Sequence, residues 1–120
     1  MTIPIQLTAS VAKGGSAAPT VAQPDGSQSP FSIPAGRMFV VTDISIQRLS
    51  VLGAPELVDV SLQQNIPSGG TTNRWTFIGQ TTTNVERNFT TGIAFTAPFV
   101  VTNGSQSTDV AVVRLWGYFQ

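Results

Sequence analysis

The sequence predicts an all-β chain that folds as an antiparallel β-sandwich of jelly-roll type. Apolar and polar residues alternate in six stretches, which is the period of a strand with one face buried. Eight prolines and eleven glycines are spread along the chain, and these residues mark turns between strands. No stretch has the 3.6-residue apolar spacing of a helix. Seven or eight strands joined by turns are typical of a β-sandwich.

The stretch 31–47 organises the chain. It contains the turn Pro34-Ala35-Gly36, in which we expect proline at the first corner and glycine at the permissive position, followed by a long strand. Strict alternation after this turn divides the strand between two faces: Met38, Val40, Ile44 and Ile46 against Phe39, Val41, Asp43, Ser45 and Gln47. The strand then begins apolar on both faces. The same holds around Val112, so we expect a second chain to cover one face.

The N-terminal part alternates from Thr2 to Val11 and then loses its period. The connection 12–29 is rich in Gly, Ala and Ser, is longer than a hairpin needs, and has a turn signal at Asp25-Gly26. We therefore divide the chain into an N-terminal strand and extended arm, 1–30, and a sandwich, 31–120. We expect the arm to contact a neighbouring subunit, or the surface of a larger assembly, through one apolar face formed by Ile3, Ile5, Leu7 and Val11. The alternative is that this strand joins its own sheet.

Further strands are predicted at 57–63, 74–80, 89–95, 99–102 and 109–119. Within them, Gly92 indicates a bulge or a close backbone approach. Asn103-Gly104 predicts a hairpin before the last strand. The last strand alternates Val110, Val112 and Trp116 against Ala111, Val113, Leu115 and Phe119. Its candidate subunit-interface residues are Val112, Trp116 and Tyr118.

The composition argues against several kinds of partner and chemistry. Charged residues are 10% of the chain, the net charge is zero, and the single lysine and five arginines are scattered. Nucleic acids and anionic membranes are bound by clustered positive charge, so neither is an expected partner. Cysteine and histidine are absent, and we expect no metal or other cofactor. The first residues do not resemble a signal peptide and no apolar run nears 18 residues, which predicts a soluble protein.

Two carboxylates on predicted strands raise the question of catalysis. A glycosidase needs two carboxyl groups roughly 5–10 Å apart, and Asp43 and Asp59 are the pair that adjacent strands could bring together. Outward-facing polar residues on two strands are, however, the commoner reason for such a pair. We therefore predict that the chain is not an enzyme. Asp25-Gly26-Ser27 is the nearest candidate for calcium, and its composition indicates a turn.

A tryptophan next to polar residues raises a carbohydrate-binding alternative. Sugar sites combine an exposed aromatic platform with amide and charged groups that fix the ligand's orientation. Trp75 follows Asn73 and Arg74 at the end of a loop, and the three could form such a platform. Trp75 also shares a strand face with Phe77, which indicates core packing instead.

The turn Ile-Pro-Ala-Gly at 33–36, the long apolar strand and the ending Leu-Trp-Gly-Tyr-Phe at 115–119 carry a resemblance. Over residues 31–119 the chain resembles small jelly-roll sandwiches of tailed-phage decoration (cement) and tail proteins and of trimeric tumour-necrosis-factor-like modules. The resemblance implies a fold used chiefly for assembly and binding, often in threefold oligomers. Together with the neutral surface and the missing catalytic residues, it leads us to expect a structural assembly protein, a homotrimer that decorates a capsid shell, located in the virion if a phage encodes it. The alternative function is a lectin-like carbohydrate-binding module.

Overall fold

A computed structural model describes residues 4–49, 56–81, 84–104 and 110–120. The described residues form strands and no helix, which confirms the all-β prediction. The strands are β1 (Ile5–Val11), β2 (Ser16–Ala17), β3 (Thr20–Ala22), β4 (Gln28–Pro30), β5 (Phe39–Leu49), β6 (Glu56–Asn65), β7 (Thr71–Thr81), β8 (Val85–Phe95), β9 (Phe99–Asn103) and β10 (Val110–Phe119). Accordingly, no described segment is a helix that could cross a membrane.

The strands form two antiparallel sheets that pack face to face. The first sheet has the order β4-β3-β1-β10-β5-β8 and the second has the order β2-β9-β6-β7. The pairs are nested along the chain: β1 pairs with β10, β2 with β9, β5 with β8, and β6 with β7. The predicted antiparallel β-sandwich is therefore confirmed.

The core lies between the two sheets, where alternate residues of each strand meet. Its largest fully buried side chains are Phe39, Phe95, Leu7, Ile44, Ile46, Leu62 and Leu115. Aromatic rings fill one end of this core. Phe95 stacks on Phe99 with ring centroids 4.2 Å apart, and the edge of Phe31 meets Phe39 at 4.8 Å. Aromatic pairs in these geometries add to the stability that area burial alone provides.

The N-terminal strand belongs to the sheet of its own chain, which corrects the predicted arm. β1 lies between β3 and β10, and Ile5 is opposite Gly117. Leu7 is 0% exposed and Val11 is 1% exposed, so neither side chain can contact a neighbouring subunit. Ile3 lies outside the described residues. The connection predicted to be irregular contains the short strands β2, β3 and β4, which are too short to show a period.

A β-bulge at Thr42 changes which residues of β5 share a face. The register with β10 and with β8 shifts between Val41 and Asp43, so one residue is added to β5. As a result Phe39, Val41, Ile44 and Ile46 all point into the core, and Val40, Asp43, Ser45 and Gln47 point outward. The strict alternation predicted for this strand was therefore wrong.

The outward side chain of Val40 is covered by its own chain. Val40 is only 4% exposed, and a Cβ built on Gly92 would lie 2.3 Å from its Cγ1. Gly92, at φ +76°, lets the β8 backbone lie directly over this valine. The predicted close approach at Gly92 is confirmed. Val40 therefore gives no reason to expect a second chain.

Two predicted turns have different outcomes. The amide of Arg37 donates to the carbonyl of Pro34 at 3.1 Å, and Gly36 has φ +77°. The turn is confirmed, with Pro34 as its first residue rather than its first corner. Asn103-Gly104 does not form the predicted hairpin, because β9 is in the second sheet and β10 is in the first.

Candidate functional site

A groove of about 580 Å³ lies on the outer face of the first sheet, across β10, β5 and β8. We call it the outer-face groove. Its principal lining side chains are Thr42, Asp43, Ser45, Glu86, Asn88 and Trp116. Pro4 and Arg87 complete part of the wall. The volume is within the range of about 300–1,000 Å³ that is usual for small-molecule sites.

The register of the three strands brings an indole, a carboxylate and an amide into one row. Trp116 on β10 is opposite Asp43 on β5, and Asp43 is opposite Asn88 on β8. The bulge at Thr42 is responsible, because it moves Asp43 to the outer face while Ile44 stays in the core. Directly opposite residues have Cβ atoms about 4.5–5.5 Å apart, so the three groups can contact one ligand.

Hydrogen bonds hold the Asp43 carboxylate in a fixed orientation. Its Oδ1 accepts from Asn88 Nδ2 at 2.7 Å, and its Oδ2 accepts from Thr42 Oγ1 at 2.8 Å. The Thr42 hydroxyl also lies 3.2 Å from the carbonyl oxygen of Trp116. Each carboxylate oxygen can accept more than one hydrogen bond, so Asp43 keeps the capacity to bind a hydroxyl group in the groove.

Two carboxylates face the groove, and the two neighbouring guanidinium groups make contacts elsewhere. Asp43 and Glu86 lie on neighbouring strands in diagonal positions, about 7–8 Å apart. Arg87 is opposite the inward-facing Ile44, and its guanidinium lies 5.2 Å from the ring centroid of Phe77 on the second sheet. Its charge is therefore directed towards the interior side of β8, and Arg114, opposite Ser45 on the outer face, donates to Gln47.

The predicted interface residues of β10 lie on the same outer face. Val112, Trp116 and Tyr118 are all half-buried. Polar groups separate them, since Arg114 Nη1 donates to Gln47 Oε1 at 3.1 Å between Val112 and Trp116. A contact through these residues stays a prediction. The alternation of polar and apolar groups is typical of a ligand groove.

Trp75 does not form the sugar platform that we considered. Its half-buried ring meets the edge of Phe89 with centroids 5.6 Å apart, and it packs against the core. Arg74 Nη2 donates to the carbonyl of Ala94 at 3.0 Å, and the amide of Asn73 donates to Thr76 Oγ1 at 2.7 Å. Trp75 and Arg74 therefore join β7 to β8 and close that side of the sandwich.

Neither the carboxylate pair nor the calcium candidate of the sequence forms a site. Asp43 points outward from the first sheet and Asp59 from the second, so the sandwich separates them. In the described part of the chain, no group of three or more Asp or Glu residues could hold a metal ion.

Asp25 Oδ1 accepts hydrogen bonds from the Ser27 hydroxyl and amide. These two bonds hold the pKa of Asp25 below its ordinary value, and the segment is the turn between β3 and β4.

A second groove lies where the first sheet is wider than the second. β7 and β8 meet at one side of the sandwich, so the two additional strands β3 and β4 extend beyond the second sheet at the other side. Ile5, Val21, Phe31 and Phe119 line an apolar groove of about 290 Å³ there, which we call the overhang groove. All four side chains are half-buried.

Comparison with known proteins found no family model that matches the sequence and no curated protein that is significantly similar to it. The structure itself defines the class: an antiparallel β-sandwich with a polar groove on one face and an apolar groove at one edge.

Sequence reasoning named Trp116 only as an interface residue. Trp116 is a groove residue because it lies opposite Asp43. That register depends on the bulge at Thr42, which the sequence does not reveal.

Proposed function

We propose that the chain is a non-enzymatic structural assembly protein that forms a closed homo-oligomer and decorates a larger protein assembly. The overhang groove is the observation that carries this proposal. Four apolar side chains, Ile5, Val21, Phe31 and Phe119, pack against the edge of the core and also line a surface depression, where each is only half-buried. Apolar surface that is exposed in one chain and bordered by polar residues is typical of association sites.

A second copy of the chain fits the chemistry of this groove. The other lining residues, Gln23, Ser29, Pro30 and Ser32, carry no charge. The chain as a whole is 10% charged with a net charge of zero, so two copies approach each other with little electrostatic repulsion. A stable contact would have to bury about 1,000 Å² or more, which means that strands β3 and β4 would take part together with the groove.

The proposed jelly-roll fold, threefold oligomer and capsid location follow from the strand topology and from the sequence resemblance. The nested pairing of β1 with β10, β2 with β9, β5 with β8 and β6 with β7 supports a jelly roll. The sequence resemblance to trimeric jelly-roll modules and to capsid decoration proteins supports a threefold oligomer on a capsid shell. In that case the protein belongs to a virion.

A single charge in the overhang groove tests this proposal. Val21→Asp would place a carboxylate in the apolar contact, where burial of an unpaired charge is strongly unfavourable. We expect the wild-type protein to sediment as an oligomer, with a trimer favoured, at micromolar concentration. We expect Val21→Asp to sediment as a monomer with an unchanged far-ultraviolet circular dichroism spectrum.

Ile78→Asp is the matched control, because Ile78 is 63% exposed on the second sheet and lies away from the overhang groove. This variant should keep the wild-type mass. A wild-type protein that sediments as a monomer would refute the proposal, and so would a Val21→Asp variant that assembles normally. Native mass spectrometry of a preparation from the natural source would then measure the oligomer and any particle that purifies with it.

A further inference from the structure

We propose that the outer-face groove binds a neutral oligosaccharide, with Trp116 as the stacking platform and Asp43 and Asn88 as the groups that orient the sugar hydroxyls. The inference depends on different residues from the assembly proposal. The overhang groove is at the β3–β4 side of the molecule, and the outer-face groove crosses β10, β5 and β8.

The first step is the pairing of an aromatic ring with fixed polar groups. A pyranose ring has an apolar face of C–H groups and a rim of hydroxyl groups, and an indole binds the face while acceptors and donors bind the rim. Trp116 is half-buried in the groove wall, so part of its ring contacts the groove. Asp43 and Asn88 lie in its row, at one and two strand spacings of about 4.8 Å.

The second step is that the polar groups are already in position before a ligand arrives. The bonds from Thr42 and Asn88 fix both oxygens of Asp43, at 2.8 and 2.7 Å. The second N–H of Asn88 and the further lone pairs of Asp43 can then bind adjacent hydroxyl groups, one as donor and the other as acceptor. Groups held in this way lose little conformational freedom on binding, which favours affinity.

The third step uses charge to choose the class of sugar. Asp43 and Glu86 face the groove, whereas the guanidinium of Arg87 is directed to the Phe77 ring and that of Arg114, opposite Ser45, donates to Gln47. The groove would repel carboxylated and sulfated sugars, because like charges in proximity are unfavourable. Neutral sugars meet no such penalty.

The position of the groove favours a sugar over a peptide. Extended peptides bind by adding a strand to a free sheet edge. Most of the outer-face groove instead lies over the faces of β10 and β5, whose backbone groups are already paired on both sides, and only its β8 border is an edge strand. A ligand over β10 and β5 can contact only side chains, which is the manner of recognition that the indole, carboxylate and amide provide.

Tryptophan fluorescence gives a direct test. The chain has two tryptophans, so Trp75→Phe leaves Trp116 as the only indole. We would first probe an array of immobilised neutral and acidic glycans with the full-length protein and then titrate a Trp75→Phe sample with the soluble neutral oligosaccharide that binds best. We expect a saturable change in Trp116 emission and no comparable binding of acidic glycans.

Variants separate a ligand site from a structural role. Trp116→Ala should weaken binding by about tenfold or more, as is usual when a central aromatic contact is removed. Asp43→Asn should weaken binding while circular dichroism stays unchanged, and Trp75→Phe should bind on the array as the wild type does. The proposal is wrong if no neutral glycan binds, or if binding survives in a folded Trp116→Ala variant. A monomeric Val21→Asp protein should still bind the glycan, so failure of the assembly proposal would be visible separately.

Discussion

At the scale of single residues, Asn103 connects parts of the chain that are far apart in sequence. Its side chain is 2% exposed, and Nδ2 donates to the carbonyl of Val11 at 3.0 Å. Its backbone carbonyl accepts from Gly14 and its amide donates to Gly15. The side chain and backbone of one residue therefore fix the passage from β1 to β2 against β9.

The first prediction concerns this buried amide. Asn103→Ala should lower the free energy of unfolding by about 1–3 kcal/mol, because the carbonyl of Val11 stays buried and loses its donor. Asn73→Ala is the matched control, since the Asn73 amide donates to Thr76 in an exposed position, and its cost should be within about 0.5 kcal/mol. Urea unfolding measures the free energy of unfolding of both variants. Equal losses in the two variants would contradict the role given to Asn103.

At the scale of strands, one added residue decides where the outer-face groove lies. Opposite the Thr42 bulge in β5, β8 also bulges, because its pairing moves from Asn88 to Ile93. Gly92 lies in this extra segment, with φ +76° and its backbone over Val40. Any side chain there would meet a strained backbone angle and the Val40 methyl group together.

The second prediction uses this glycine. Gly92→Ala should destabilise the protein by roughly 2–5 kcal/mol, from about 1–2 kcal/mol of backbone strain and about 1–3 kcal/mol of overpacking. Gly26→Ala is the control, because Gly26 has a similar φ of +87° and nothing within 4 Å of an added Cβ. The Gly26→Ala variant should lose only the stability that corresponds to backbone strain. Thermal unfolding followed by circular dichroism compares the two, and a Gly92→Ala cost no larger than the control would show that the close approach is unimportant.

The long strands could be predicted from the sequence, whereas the short strands β2, β3 and β4 and the site could not. Residues 57–63, for example, lie within β6 (Glu56–Asn65). Apolar and polar residues alternate clearly there, because one face of the strand is buried and the other faces solvent. Trp116 and Asp43 come together only through a register that an extra residue has shifted. Thr42 has nothing in its residue type that marks a bulge, and a shift of one residue moves every following side chain to the other face.

At the scale of the whole molecule, β1 is an interior strand of the first sheet. It pairs with β10 on one side and with β3 on the other, and its residues Leu7, Ala9 and Val11 are part of the core cluster. The alternating pattern in this segment indicated both a buried face and a sheet to join. The length of the connection that follows suggested a neighbour's sheet, although β2, β3 and β4 occupy that length.

The third prediction is that the sandwich needs this strand to fold. A chain that begins at residue 12 would lose three core side chains and expose the full edge of β10, so we expect no cooperative thermal transition. A chain that begins at residue 5 keeps all of β1 and should melt cooperatively. If the chain that begins at residue 12 melts as sharply as the longer one, β1 is dispensable to the fold.

The nested pairing also has a consequence for how the protein is made. Ile5 is opposite Gly117 and Val11 is opposite Ala111, so the two strands at the centre of the first sheet are synthesised at opposite ends of these 120 residues. Pairs so distant in sequence fold slowly, because a long loop must close before they form. On the ribosome, this edge of β1 therefore has no partner until β10 has emerged from the exit tunnel. During that interval the unpaired strand edge makes the nascent chain prone to aggregation, and a slower rate of translation would lengthen the interval.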